Sequence, residues 1–347
     1  MDNKHSIPQW EKLERLGSGG NGEVWRAKRN GVEYALKILK KTQEQDESYR
    51  RFIDEIAILR QLEHEAGILP VIDAYLPESP SKTNRAWMSM PLANGIRKAL
   101  GERPRIDDVV EAIAAIADTL ARLVDKGICH RDIKPENLYR WDDKWVIGDF
   151  GLADFPDKGD VTEEGRALGP RFYIAPEMVL DPLRASGFPA DVWSLAKTMW
   201  VLATGQNFPP PHPQPANDPS DSLAAYIIHP RVRYLDNLME LATSKEPSQR
   251  PSMRDFANEL RSWLSVARTP VPPDDVSDVT NRIRLQSGAF FEMQNRMNRS
   301  RSEAEILTQQ LLVDLNGLYE AMRETGLPCN EPTSNVSVRG IHSCQGR

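Results

Sequence analysis

Between Cys129 and Asn137 the chain reads Cys129-His130-Arg131-Asp132-Ile133-Lys134-Pro135-Glu136-Asn137, which places a carboxylate, an ammonium and a carboxamide in one short loop. Asp132 can accept a proton from an attacking hydroxyl. Lys134, two residues on in an extended segment, points the same way and can neutralise a phosphoryl oxygen. Asn137 offers a neutral oxygen to a metal ion. Further along, Asp149-Phe150-Gly151 supplies a second carboxylate suited to a hard cation that prefers oxygen. Base, cation and two metal ligands are the parts that phosphoryl transfer requires.

Those parts need a scaffold, and the first ninety residues read as strands with one helix. Leu16-Gly17-Ser18-Gly19-Gly20-Asn21-Gly22-Glu23-Val24 holds a G-x-G-x-x-G run, a spacing that dinucleotide folds also use. There the glycines open a helix, whereas Glu23-Val24-Trp25-Arg26-Ala27 continues as a strand. The run is therefore a hairpin whose bare backbone lets N–H groups approach phosphates. Tyr34–Leu39 is an apolar strand carrying one cation, Lys37, which needs an anionic partner. A helix over Arg50–Leu62, with Phe52, Ile56 and Leu59 on one face, supplies candidates. Spacing alone leaves Glu55, Asp54 and Glu63 open.

The second part reads as helical. Val109, Val110, Ile113, Ile116, Leu120 and Leu123 mark a core helix over Ile106–Asp125 that runs into the loop of Asp132. Trp145-Val146-Ile147 is a short strand delivering Asp149. Ala175-Pro176-Glu177 follows, Asp191-Val192-Trp193-Ser194-Leu195 opens an apolar helix through Leu202, and Arg250-Pro251 comes last.

In that order, over residues 10–265, these segments resemble the signatures of eukaryotic-type (Hanks-type) serine/threonine protein kinases. The resemblance implies an α+β, bilobal kinase fold with a β-rich N-lobe, a mainly helical C-lobe and ATP between them. It pairs Lys37 with Glu55 and makes Lys37 the phosphate grip. Asp132 becomes the base that orients the acceptor hydroxyl, and Lys134 stabilises the transferred group. Asn137 and Asp149 become the ligands of Mg²⁺, or of Mn²⁺ in its place. Residues 16–24 become the phosphate-covering loop, with Val24 and Ala35 above the adenine. Met90 is the gatekeeper, and Pro91, Leu92 and Ala93 form the hinge. Pro91 lacks an N–H, but its C=O suffices for an adenine amino group. Glu177 and Arg250 form a buried ion pair, and Asp191 braces the backbone at His130 and Arg131. The Ala-Pro-Glu segment, the Asp191 helix and Arg250 favour a protein substrate over a small molecule, and Lys134 resembles the serine/threonine class. The competing readings are a pseudokinase scaffold and a small-molecule kinase.

Three departures stand out. Tyr139 occupies a place where the family has a smaller aliphatic floor. Pro170, after Gly169, replaces a threonine that would bond the catalytic aspartate and lysine. Between Leu152 and Ala167 the one hydroxyl is Thr162. It is a candidate for autophosphorylation with Arg131 clasping the phosphate; Glu163 or Glu164 paired with Arg131 is the alternative.

Proline stands at 209, 210, 211, 213, 215 and 219, which predicts an extended surface loop over Phe208–Asp221. The predicted organisation is an N-terminal tail 1–9, N-lobe 10–93, C-lobe 94–267, Pro-rich linker 268–276, helical extension 277–327 and disordered tail 328–347. In the extension Ser302 and Glu305 form a capping box, and Leu307, Leu311, Leu315, Leu318 and Met322 form an apolar stripe. That stripe needs a cover: a homodimeric coiled coil or intramolecular docking through residues 303–325, or a hairpin closed on itself.

A net charge of −6 across 347 residues gives no support to nucleic-acid binding. No apolar stretch approaches the roughly 20 residues of a membrane span, and residues 1–9 lack a signal-peptide core. Cys129, Cys329 and Cys344 are too scattered for a disulfide framework and fit a reducing cytoplasm. Cys129 reads as a small buried hydrophobe.

Overall fold

The alternating apolar pattern of residues 11–39 folds into three antiparallel strands: β1 (Glu11–Ser18), β2 (Gly22–Arg29) and β3 (Val32–Leu39). The structure, a computed structural model, describes residues 7, 9–18, 22–40, 46–156, 172–182 and 184–267, all within the unit Met1–Val271. Strands β4 (Asp73–Tyr75) and β5 (Trp87–Met90) complete a five-stranded sheet in the order β1-β2-β3-β5-β4. Register places Val24 opposite Lys37 and Ala35 opposite Met90. Trp10, Ala27, Leu36, Ile38 and Trp87 form the core under this sheet. Trp10 meets Tyr34 and Trp87 edge to face, at 5.6 and 5.5 Å, the geometry that aromatic quadrupoles favour. An ion pair from Arg29 to Asp73, at 2.7 Å, ties β2 to β4.

The helix of this lobe, α1, spans Glu47–Gln61, beginning a turn before the expected Arg50. An acidic Glu47 in its first turn and Arg60 in its last suit the helix dipole. Phe52, Glu55, Ile56 and Leu59 are buried on one face, so the carboxylate shares the side that packs on the sheet.

Past Met90 the chain enters a short strand β6 (Asn94–Gly95) and helix α2 (Ile96–Leu100). Helix α3 (Ile106–Asp125) is the pillar of the second lobe, and its six predicted core positions are all buried. Strands β7 (Leu138–Trp141) and β8 (Lys144–Ile147) form a hairpin beside β6. The Ile147 N–H donates to Gly67 O at 2.8 Å, and the Leu69 N–H donates to Ile147 O at 2.9 Å. That exchange links the segment following α1 to the strand that delivers Asp149.

Helices α4 (Pro176–Leu180), α5 (Gly187–Thr204), α6 (Val232–Ala242) and α7 (Met253–Ala267) complete the lobe. Helix α5 begins before the expected Asp191 and ends at Gly205, whose φ of 71° closes the last turn in the left-handed region. The Pro-rich segment is a surface loop, as expected, with Phe208, Pro211, His212, Pro215 and Pro219 exposed, but it is anchored at several points. Pro209, Pro210, Gln214 and Ala216 are buried, and the segment is tied down by side chains. Lys197 Nζ donates to His212 O at 2.5 Å, Trp200 Nε1 to Asp221 O at 2.7 Å, and the Gln214 N–H to Thr243 Oγ1 at 2.9 Å. Prolines cannot supply backbone donors, so core side chains satisfy these carbonyls instead. The readings of Gly19, Gly20, Asn21, Thr162 and Pro170, and of residues 268–347, lie outside the described residues.

Candidate active site

Lys37 leaves β3 on the face that α1 covers. Its ammonium donates to Glu55 Oε1 and Oε2 at 2.7 and 2.8 Å and to Asp149 Oδ1 at 3.1 Å. Asp54 and Glu63, the other candidates on spacing, make no such contact with Lys37. Glu55 is 3% exposed and Asp149 is 42% exposed, so one carboxylate is structural backing and the other opens to the cleft. Burial lifts the Glu55 pKa above the usual carboxylate range, against the pull of Lys37. Burial also opposes charge on Asp149, but Lys37 outweighs it and holds that group at about 2. Burial would lower the Lys37 pKa, yet Asp149 and Glu55 together raise it. Lys37 is therefore a fixed cation.

The loop of Asp132 is equally determined. Lys134 Nζ donates to both Asp132 oxygens, at 2.9 and 2.8 Å. Asn137 Nδ2 donates to Asp132 O and to Asp132 Oδ2, each at 2.8 Å. These bonds fix the Asn137 amide so that its carbonyl oxygen is the group left to face a ligand. Burial raises the Asp132 pKa while Lys134 works against it. His130 is fully buried; its Nε2 lies 3.2 Å from Gly148 O and its ring meets Phe150 edge-on at 4.7 Å. This packing joins the Asp132 loop to the Asp149 turn.

Beneath the loop, Asp191 Oδ2 accepts the His130 N–H at 2.7 Å and Oδ1 accepts the Arg131 N–H at 2.8 Å. Arg131 has a φ of 64° and Asp149 one of 60°, conformations that L-residues hold only when their surroundings demand it. The first turn of α5 reaches the loop because residue 187 is glycine: a Cβ there would sit 2.3 Å from Cys129 Sγ. Cys129 itself is buried, and burial pushes its thiol up to about 12, so it is an inert packing group.

Glu177 and Arg250, 73 residues apart, meet in a bidentate pair at 2.5 and 2.8 Å. The Arg250 side chain is fully buried. It also donates to Pro189 O and Ser244 O at 3.0 and 2.9 Å and lies 5.0 Å over the Trp193 ring. Arg131 pairs with Asp154, Nη2 to Oδ2 at 2.6 Å.

Between the lobes lies a cavity of about 350 Å³ whose walls include Gly22, Val24, Lys37, Asp132, Lys134 and Asp149. The remaining predicted residues stand around it as follows. Ala35 and Met90 are buried neighbours across β3 and β5. Pro91, Leu92 and Ala93 are half-buried between β5 and β6. Leu16 is half-exposed at the end of β1, Gly17 and Ser18 follow it, and Glu23 accepts from Trp25 Nε1 at 3.0 Å. Tyr139 lies on β7 against Gly148, where a Cβ would be 3.1 Å from its ring. Burial pushes the Tyr139 phenol up to about 12.

Three side-chain choices escaped sequence reasoning. Gly148 makes room for Tyr139, Asp154 binds Arg131, and Lys197 is buried inside α5. Only Lys197 announced itself, as a lone cation in the apolar run Val192–Leu202.

Comparison with known proteins agrees with this geometry. The family model described as protein kinase domain matches residues 10–268. The chain is 30% identical over 283 residues to a probable serine/threonine-protein kinase, PkwA, of Thermomonospora curvata, covering 79% of this chain and 36% of that protein. It is 29% identical over 289 residues to the serine/threonine-protein kinase PknA of Mycobacterium tuberculosis, covering 75% and 63%. With PknF of the same organism it shares 30% over 281 residues, covering 74% and 57%. The matches thus span between about a third and two thirds of these relatives' lengths. A sheet lobe and a helical lobe meeting at Lys37, Asp132 and Asp149, inside the matched range, leave one assignment: the chain belongs to the Hanks-type protein kinase domain family.

Proposed function

We propose that this protein transfers the γ-phosphoryl group of ATP to serine or threonine hydroxyls of protein substrates, its own included. The observation that carries the reading is the convergence of two clusters on one cavity: Lys37 with Glu55 and Asp149, and Asp132 with Lys134 and Asn137. Asp132 accepts the proton of the acceptor hydroxyl as the oxygen attacks phosphorus. Its position is fixed by Lys134 and Asn137, so little reorganisation is needed when charge develops. Lys134, already beside the base, neutralises the transferred group. Lys37 grips the phosphates, and Glu55 holds its ammonium in place.

A divalent cation fits the donors present. The Asp149 carboxylate is half open to the cleft with one oxygen on Lys37, and the Asn137 amide is turned with its oxygen free of Asp132. Hard oxygen donors of this kind suit Mg²⁺ or Mn²⁺; such an ion would neutralise phosphate charge. Met90, Pro91, Leu92 and Ala93 would border the adenine, with Val24 and Ala35 above and the Tyr139 ring below. Serine/threonine preference rests on Lys134 and on the similarity to the serine/threonine-protein kinases PkwA and PknA. A cytoplasmic location rests on the scattered cysteines. Docking or dimerisation through residues 303–325 rests on the leucine stripe alone.

Labelled ATP with a generic protein acceptor tests the reading. Asp132→Asn should lower transfer by roughly 10²- to 10⁴-fold with ATP binding retained. Parental transfer by that variant would remove Asp132 from its role. Transfer to metabolites and not to proteins would replace the substrate class.

A further inference from the structure

We propose that Asp154 is a resident counter-anion for Arg131, holding the catalytic loop in working geometry with no phosphate on residues 157–171. The inference rests on the kinase reading and concerns how that site is held active.

Arg131 lies between His130 and Asp132, and its left-handed φ of 64° turns the chain so that Asp132 faces the cleft. A costly turn of this kind needs both its backbone and its side chain held. Asp191 takes the backbone N–H at 2.8 Å, and Asp154 takes the guanidinium at 2.6 Å. The partner is not chosen by chance side-chain rotation. The backbones of Cys129 and Asp154 exchange two hydrogen bonds, Cys129 N–H to Asp154 O at 3.0 Å and Asp154 N–H to Cys129 O at 2.9 Å. That bridge fixes the two segments in register, so the carboxylate always stands opposite the arginine two residues along.

The guanidinium has little freedom to leave. Its side chain is 11% exposed. On the far side stands the start of α5, where even one added carbon at Gly187 would lie 3.0 Å from Arg131 Nε. The Cys129 thiol lies beside it. A phosphorylated side chain carries a charge of about −1.5 to −2 and binds by finding an unoccupied arginine. At this arginine it would meet a carboxylate already in place, and like-charge repulsion from Asp154 would offset its attraction. Among the described residues Asp154 is the carboxylate that pairs with Arg131, and it does so from a backbone position anchored to Cys129.

The test uses the full chain as parent, Thr162→Ala, Asp154→Asn and Asp154→Glu. Labelled-ATP transfer gives kcat and KM, and hydrogen exchange follows the peptide covering residues 128–134. Thr162→Ala should keep kcat within about twofold of the parent. Asp154→Asn, which keeps the shape and removes the charge, should lose about tenfold to a hundredfold in kcat through a misplaced Asp132. Its KM for ATP should stay near parental, and Asp154→Glu should recover most of the loss. Exchange over 128–134 should be faster in Asp154→Asn.

Loss of activity in Thr162→Ala, whatever Asp154→Asn does, overturns the proposal, because a phosphate is then needed. Parental kcat in Asp154→Asn overturns it as well. A parent that transfers no phosphate to any protein overturns the kinase reading alone. The exchange measurement then decides for Asp154, faster exchange supporting its positioning role and unchanged exchange refuting it.

Discussion

Lys197 is fully buried in α5, and replacing it with methionine should stabilise the protein in a way that depends on pH. Its ammonium has three neighbours: His212 O at 2.5 Å, the Trp193 ring at 4.8 Å, and the charge of Asp221. Arg250, another cation, shares the same tryptophan at 5.0 Å. Burial dominates and takes the Lys197 pKa from 10.5 down to about 7, with Asp221 opposing. At roughly 1.4 kcal/mol for each factor of ten, that drop corresponds to about 5 kcal/mol withheld from stability when the amine is charged. Between pH 7 and 10.5 the unfolded chain binds a proton that the folded chain does not, so parental stability rises with pH in that window. Below pH 7 both states are protonated and the full penalty is present. Lys197→Met removes the titrating group and preserves much of the volume. Denaturant unfolding of both proteins from pH 6.5 to 9.5 at fixed salt should show the advantage of the variant shrinking by up to about 1.4 kcal/mol per pH unit. Other groups cancel in the difference. Parallel curves would refute the reasoning, because they would mean that His212 O, Trp193 and Asp221 keep Lys197 charged at its ordinary pKa.

Glu177→Gln leaves the buried Arg250 charge without its counterion, a change that typically costs about 3–5 kcal/mol. The carbonyls of Pro189 and Ser244 and the Trp193 ring remain, so the lower end applies. A fall in Tm of about 6–12 °C by calorimetry is expected. Lys37→Met leaves Glu55 and Asp149 facing each other without a cation; kcat should fall at least about a hundredfold, with the circular dichroism of the fold unchanged. Gly148→Val should displace the Tyr139 ring, which a Cβ would approach to 3.1 Å, and raise the KM for ATP. The double variant with Tyr139→Leu should return KM toward the parental value, and failure of that rescue would show that the two positions do not share the floor of the cleft.

The elements that hold the site were legible because their causes are local. Lys37 sits in an apolar strand and Glu55 on the apolar face of a helix, so periodicity brought them within reach and family register chose between neighbours. Helix α3 could be read from spacing alone. The Pro-rich segment could not: prolines signal an extended chain, but its anchoring depends on Lys197 and Trp200 donating to its carbonyls and on Thr243 Oγ1 accepting the Gln214 N–H. Asp154 was invisible for a different reason. Its partner is fixed by a two-residue backbone bridge to Cys129, and no pattern along the chain announces such a bridge. Gly148 and Tyr139 are likewise complementary only once β7 and β8 are paired.

The absence of a side chain at Gly187 has a mechanical consequence. With 18 residues, α5 is a rod about 27 Å long. One end touches Cys129 and Arg131 with no clearance for a single carbon, and farther along it grips the Pro-rich segment through Lys197 and Trp200. A rod wedged at one end and tethered along its length cannot slide or roll without moving what it touches. Residues 208–221 and the turn that aims Asp132 are therefore held by one and the same helix.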